Sequence, residues 1–116
     1  MKIRLWYNPK CSKSRRALEL LSERGVDVEI VEYLETAPGV GALIRLIESS
    51  DSDPHEFVRR TDAAFNEAGL SLPDPATAEN VAALLAENPA VLQRPIADTG
   101  GRCVIARPPE RVLELL

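Results

Sequence analysis

Lys2-Ile3-Arg4-Leu5-Trp6-Tyr7-Asn8-Pro9-Lys10-Cys11-Ser12-Lys13-Ser14-Arg15-Arg16 opens the chain and decides how the rest is read. The short apolar run 2–7 predicts a strand that Asn8-Pro9 breaks. From Ser12 or Lys13 to Arg24, Ala17, Leu18, Leu20 and Leu21 recur at helical spacing, and Gly25 is placed to end that helix. Val26 to Tyr33 then predicts a second strand, with Val26, Val28 and Ile30 on one face and Val31 and Tyr33 on the other. Strand, helix and strand make a βαβ unit whose connection is long enough for parallel pairing.

Beyond Thr36-Ala37-Pro38-Gly39, Leu43, Ile44, Leu46 and Ile47 predict a helix over Val40–Ser49. Asp53 before Pro54 is an N-cap signal for a helix from about His55 to Ala68, anchored by Phe57, Val58 and Phe65. A further helix is expected over Thr77–Glu87, stopped by Asn88-Pro89. Two apolar stretches around Gly100-Gly101 predict an antiparallel hairpin, and Pro108-Pro109 opens a short last helix. The order predicts an α/β protein with a mixed central sheet. Its plan is thioredoxin-like, one domain over residues 1–116 with a helical insertion at about 38–88.

Composition narrows the function classes. The chain of 116 residues is 45% hydrophobic and 28% charged, which fits one ordinary soluble domain. No apolar run is long enough to span a membrane and residues 1–25 lack a signal-peptide core, so a cytoplasmic location is expected. Two cysteines make no disulfide framework, and with one histidine they lack metal-ligand spacing. The net charge of −4 argues against non-specific binding to nucleic acid or an anionic membrane. Eleven of the fourteen basic residues are arginine, so a focused oxyanion pocket remains compatible with an acidic chain.

Cys11 is the candidate nucleophile. The first helical turn has backbone N–H groups without intrahelical partners, and its dipole favours negative charge. Both stabilise a thiolate, and Lys10, Lys13, Arg15 and Arg16 add positive charge nearby. The local pattern is similar to a thioredoxin-type Cys-x-x-Cys site whose second cysteine is Ser14, a residue placed to donate a hydrogen bond to the thiolate. Asn8 is placed to shape the loop through its side chain. The plainer alternative is that Cys11 is a small buried hydrophobe.

Four segments stand in the order and spacing of a known family: Tyr7-Asn8-Pro9-Lys10-Cys11-Ser12-Lys13-Ser14-Arg15, Tyr33-Leu34-Glu35-Thr36, Arg94-Pro95-Ile96 and Arg107-Pro108-Pro109-Glu110. From Lys2 to Leu116 the chain resembles the ArsC-type, glutaredoxin-dependent arsenate reductases, and within them the short YfgD-type branch. The resemblance implies that Cys11 attacks arsenate and that Arg59, Arg94 and Arg107 hold the oxyanion, with Arg60 as the adjacent alternative to Arg59. It further implies glutathione as co-substrate and glutaredoxin as partner, since no resolving thiol lies one helical turn from Cys11. No tightly bound cofactor, no nucleic acid or membrane partner, and a monomeric state are expected. The chain departs from the family in carrying Tyr7 where many members have histidine, and in stopping soon after the last helix.

Each assignment has a structural alternative. Arg59 or Arg60 belongs equally to a solvated helix face, and Arg107 to a strand end beside Pro108. Pro95 is expected to be the cis-proline that thioredoxin-like folds place beside the active cysteine. Cys103, in an apolar strand, is expected to be buried and inert, and His55 to lie at the surface. Two further functions fit the same plan: a glutaredoxin-like thiol–disulfide oxidoreductase, and a non-enzymatic Spx-like regulator that binds RNA polymerase.

Overall fold

In the computed structural model, which describes residues 1–116, Lys2–Trp6 (β1) lies at the centre of a four-stranded sheet. Asp27–Val31 (β2) pairs with it in parallel, Ile3 opposite Val28 and Leu5 opposite Ile30. Ile96–Asp98 (β3) flanks its other side antiparallel, and Cys103–Ile105 (β4) closes the edge as the second arm of a hairpin. The order is β2-β1-β3-β4, the mixed sheet of a thioredoxin-like α/β fold.

Because successive strand residues point to opposite faces, the sheet separates two apolar layers. Ile3, Leu5, Ala97 and Val104 face the helix Ser12–Glu23 (α1) and the C-terminal 3₁₀ segment Pro109–Leu115. Trp6, Ile96, Cys103 and Ile105 face the helical segments between β2 and β3. Those segments are the single turn Tyr33–Thr36 (α2), Val40–Glu48 (α3), Ala63–Glu67 (α4) and Ala78–Glu87 (α5). Leu43, Phe57, Val81, Leu85, Val91 and Leu92 are almost completely buried there. Each such side chain contributes about 1.5–3 kcal/mol through removal of apolar surface from water.

Gly25 closes α1. Its φ of +71° lets its own N–H reach the carbonyl of Ser22 and the N–H of Val26 reach that of Leu21, at 3.1 and 3.2 Å. No atom lies where a Cβ would be added, so backbone conformation alone sets the cost of a side chain. Gly25→Ala is expected to lower stability by about 1 kcal/mol, read as a lower urea midpoint with an unchanged slope.

The structure departs from the expected elements in three places. The second strand ends at Val31, and Tyr33 starts α2, where its fully buried ring enters the insertion core instead of a strand face. The helix expected over residues 55–68 is broken into a 3₁₀ turn, Pro54–Phe57, and α4. Between them Val58 forms an isolated antiparallel bridge with Leu92. Arg59 N–H donates to Val91 O, and Gln93 N–H to Phe57 O, both at 2.8 Å. These partners satisfy the backbone outside a helix, and Asp62 then caps α4 by accepting from Ala64 N–H. The last helix is 3₁₀ throughout. No helix is long and apolar enough to cross a membrane.

Candidate active site

Cys11 occupies the N-cap position of α1, with extended backbone (φ −94°, ψ 120°) and its carbonyl accepting from Arg15 N–H. Asn8 builds the loop before it. Its carbonyl accepts from Cys11 N–H at 2.9 Å, and its Oδ1 accepts from Lys10 N–H at 3.0 Å. The Ser14 hydroxyl oxygen, fully buried, accepts from Asn8 N–H at 3.4 Å, which ties the helix back to the loop.

The half-exposed Cys11 sulfur makes no short capping bond of its own. Partial burial pushes its pKa up. The Ser14 N–H and hydroxyl, the Arg94 guanidinium and the Lys13 N–H outweigh this and bring the thiol down to about 7. The nearby basic side chains have other roles. Arg15 donates to Pro9 O at 2.7 Å, and Arg16 pairs with Glu19 at 2.7 Å. The cation that supports the thiolate therefore comes from Arg94, far along the chain. Thiolate should appear as pH rises through 7, with roughly a tenth of Cys11 ionised at pH 6 and nine-tenths at pH 8. Ultraviolet thiolate absorbance reads this directly, and a midpoint near the ordinary thiol value of about 8.5 would contradict it.

Arg94 lies two residues before the start of β3, and its peptide bond to Pro95 is cis. The peptide bond from Arg107 to Pro108 is cis as well. Arg107 Nη1 donates to the Arg94 carbonyl at 2.8 Å. Arg59, in the break before α4, donates from Nη1 to Gln93 Oε1 and from Nε to Asp62 Oδ2, both at 3.1 Å. The Ala64 N–H bond and the Arg59 guanidinium hold the Asp62 carboxyl below its usual range. Arg59, Arg94 and Arg107, distant in sequence, thus gather around Gln93-Arg94.

Two polar atoms in this cluster have no hydrogen-bond partner: the buried Nε of Arg94 and the hydroxyl of Tyr33. Burial raises the Tyr33 phenol, and the charges of Arg94, Cys11 and Arg59 all act on it. Tyr33, Gln93 and Asp62 were not singled out as site residues in the sequence. Gln93, a polar residue directly before Arg94-Pro95-Ile96, was the available signal. Arg60 is exposed and makes no ion pair, so it is Arg59 that the surrounding structure holds. Cys103 lies apart in the insertion core, its Sγ donating to Leu46 O at 3.0 Å, and burial raises its thiol.

A cavity of about 590 Å³ adjoins the cluster, bordered by Arg59 and Arg107 together with Arg60, Arg111, His55 and Glu56. Arginine suits such a place because its planar fork donates paired bonds to an oxyanion and keeps its charge. A nucleophilic sulfur beside fixed guanidinium groups can attack a bound electrophilic oxyanion.

The ArsC family model matches residues 6–115, which include the cysteine loop and all three arginines. The Escherichia coli K12 protein named "Uncharacterized protein YfgD" is 36% identical over 116 residues, covering 98% of this chain and 96% of that protein. An arsenate reductase of Neisseria meningitidis serogroup B is 37% identical over 117 residues, covering 98% and 97%. The solved structure of an arsenate reductase from Vibrio cholerae superposes with a TM-score of 0.87 at 37% identity, covering 100% of this chain and 98% of that one. With the family pattern running through the cysteine loop and the segments that carry Arg59, Arg94 and Arg107, the chain belongs to the ArsC family.

Proposed function

We infer that the protein reduces arsenate, or a closely similar tetrahedral oxyanion, with Cys11 as nucleophile and small thiols as electron donors. The observation that supports this most directly is a thiol lowered to about 7 against Arg94, with Arg59 and Arg107 beside it. Relatives named arsenate reductase, similar over nearly their whole length, support the choice of oxyanion.

In this reading Arg59, Arg94 and Arg107 hold the anion, each charge-assisted bond contributing on the order of 1.5–3 kcal/mol. The Cys11 thiolate attacks arsenic, an oxygen leaves as water after protonation, and a sulfur–arsenic bond forms. A donor thiolate then attacks the Cys11 sulfur. The sulfur–arsenic electron pair stays on arsenic, which leaves as arsenite, and a mixed disulfide remains on Cys11. A second thiol releases Cys11 and completes one disulfide. Arsenate and two thiols thus give arsenite, one disulfide and one water. Glutathione is the donor and glutaredoxin clears the mixed disulfide. The protein acts as a cytoplasmic monomer without a tightly bound cofactor.

Steady-state assays with arsenate, glutathione and glutaredoxin test this. Arsenate-dependent glutathione oxidation is expected. Transfer from a glutathione mixed disulfide with no dependence on arsenate would replace the reading with a glutaredoxin-like activity.

A further inference from the structure

Arg94 supplies the cation that supports the Cys11 thiolate, yet no acceptor in the protein fixes its Nε. Arg59 is held by Asp62 and Gln93, and Arg107 by the Arg94 carbonyl. The Asp62 carboxylate feels both Arg59 and Arg94 but pairs with Arg59. Arg94 itself stands in no ion pair. Tyr33 is completely buried, and its hydroxyl is a second polar group without a partner. Buried polar groups rarely go unpaired, so two of them at one site call for a physical reason.

The sheet register brings the two residues to the same place. Trp6, the last residue of β1, pairs with Val31 on one side and Ile96 on the other. Tyr33 lies two residues beyond Val31 and Arg94 two residues ahead of Ile96. Both therefore flank the end of β1 from which the Cys11 loop leaves. Burial pushes the Tyr33 phenol above its ordinary value, so it is neutral at neutral pH. The charge of Arg94 is the main influence opposing that rise, and the charges of Cys11 and Arg59 reach the phenol as well. We propose that Tyr33 is a positioning residue, whose neutral hydroxyl oxygen accepts from Arg94 Nε–H and so aims the guanidinium at the Cys11 sulfur and at a bound oxyanion. A carboxylate in that place would orient the arginine but also offset its charge, weakening its effect on thiolate and oxyanion alike. A neutral oxygen orients the guanidinium and leaves its charge available. The oxyanion part rests on the reading given under Proposed function, whereas the thiolate part stands without it.

Tyr33→Phe, which removes the oxygen and keeps the ring, is the test. The Cys11 midpoint in thiolate absorbance is expected to rise from about 7. In the same variant kcat/KM for arsenate should fall about fivefold, the worth of one neutral hydrogen bond. Both effects should vanish in an Arg94→Met background, where the side chain keeps its length but has no N–H to align. An unmoved Cys11 midpoint overturns the role, and so does an equal loss of activity in the Arg94→Met background. In the wild type the Arg94 Nε–H proton should exchange slowly with water by NMR, and faster in Tyr33→Phe. Fast exchange in the wild type overturns the contact even if the variant does not fold. A raised Cys11 midpoint in Tyr33→Phe, with no arsenate turnover by the wild type, would keep the Tyr33 role and reject the arsenate reading.

Discussion

Cys11→Ser is expected to reduce arsenate-dependent thiol oxidation at least about 1000-fold, since a serine hydroxyl is not ionised near neutral pH and cannot form the sulfur–arsenic bond. The fold should tolerate the change, because the sulfur is half-exposed and makes no short capping bond. The urea midpoint should therefore move little. The titration near pH 7 should disappear from the thiolate absorbance, leaving only the raised, buried Cys103. Cys103→Ser is the matching control and should keep activity, since that thiol faces the insertion core. Retention of more than a tenth of the activity in Cys11→Ser would remove this residue from the chemistry.

Arg94→Lys is expected to lower kcat/KM for arsenate on the order of 100-fold, equivalent to about 2.7 kcal/mol. Lysine keeps the positive charge but loses the planar fork, so a single ammonium nitrogen must serve both sulfur and oxyanion. The Cys11 pKa should move up from about 7, because the Arg94 guanidinium is one of the groups that hold it down. Activity should then rise with pH over a higher range than in the wild type. The Arg94 carbonyl, which accepts from Arg107, is backbone and survives the substitution. A fall in activity with an unmoved Cys11 titration would mean that Arg94 acts on the oxyanion alone.

Much of the framework was legible along the chain because it is encoded locally. The apolar run at 2–7, the stripe Ala17-Leu18-Leu20-Leu21 and Gly25 define β1, α1 and the end of α1 with short-range signals. The hairpin around Gly100-Gly101 is equally local. The break at Arg59 was not legible. Phe57, Val58 and Phe65 fit a helical stripe, and only the bridge to Leu92 and the bonds to Val91 and Gln93 show that the backbone there is extended. Those partners lie more than thirty residues away.

The same division holds for the site. Sequence by itself determined the candidate nucleophile: Cys11 follows a strand break and precedes a helix, so local backbone places it at the helix tip. Tertiary structure decided which cations attend it. Arg15 and Arg16 are neighbours in sequence but turn to Pro9 and Glu19, while Arg94, brought in just ahead of β3, lowers the thiol. A helix N-terminus is set by residues within one turn, whereas a guanidinium at the end of a long side chain goes where packing leaves it a partner.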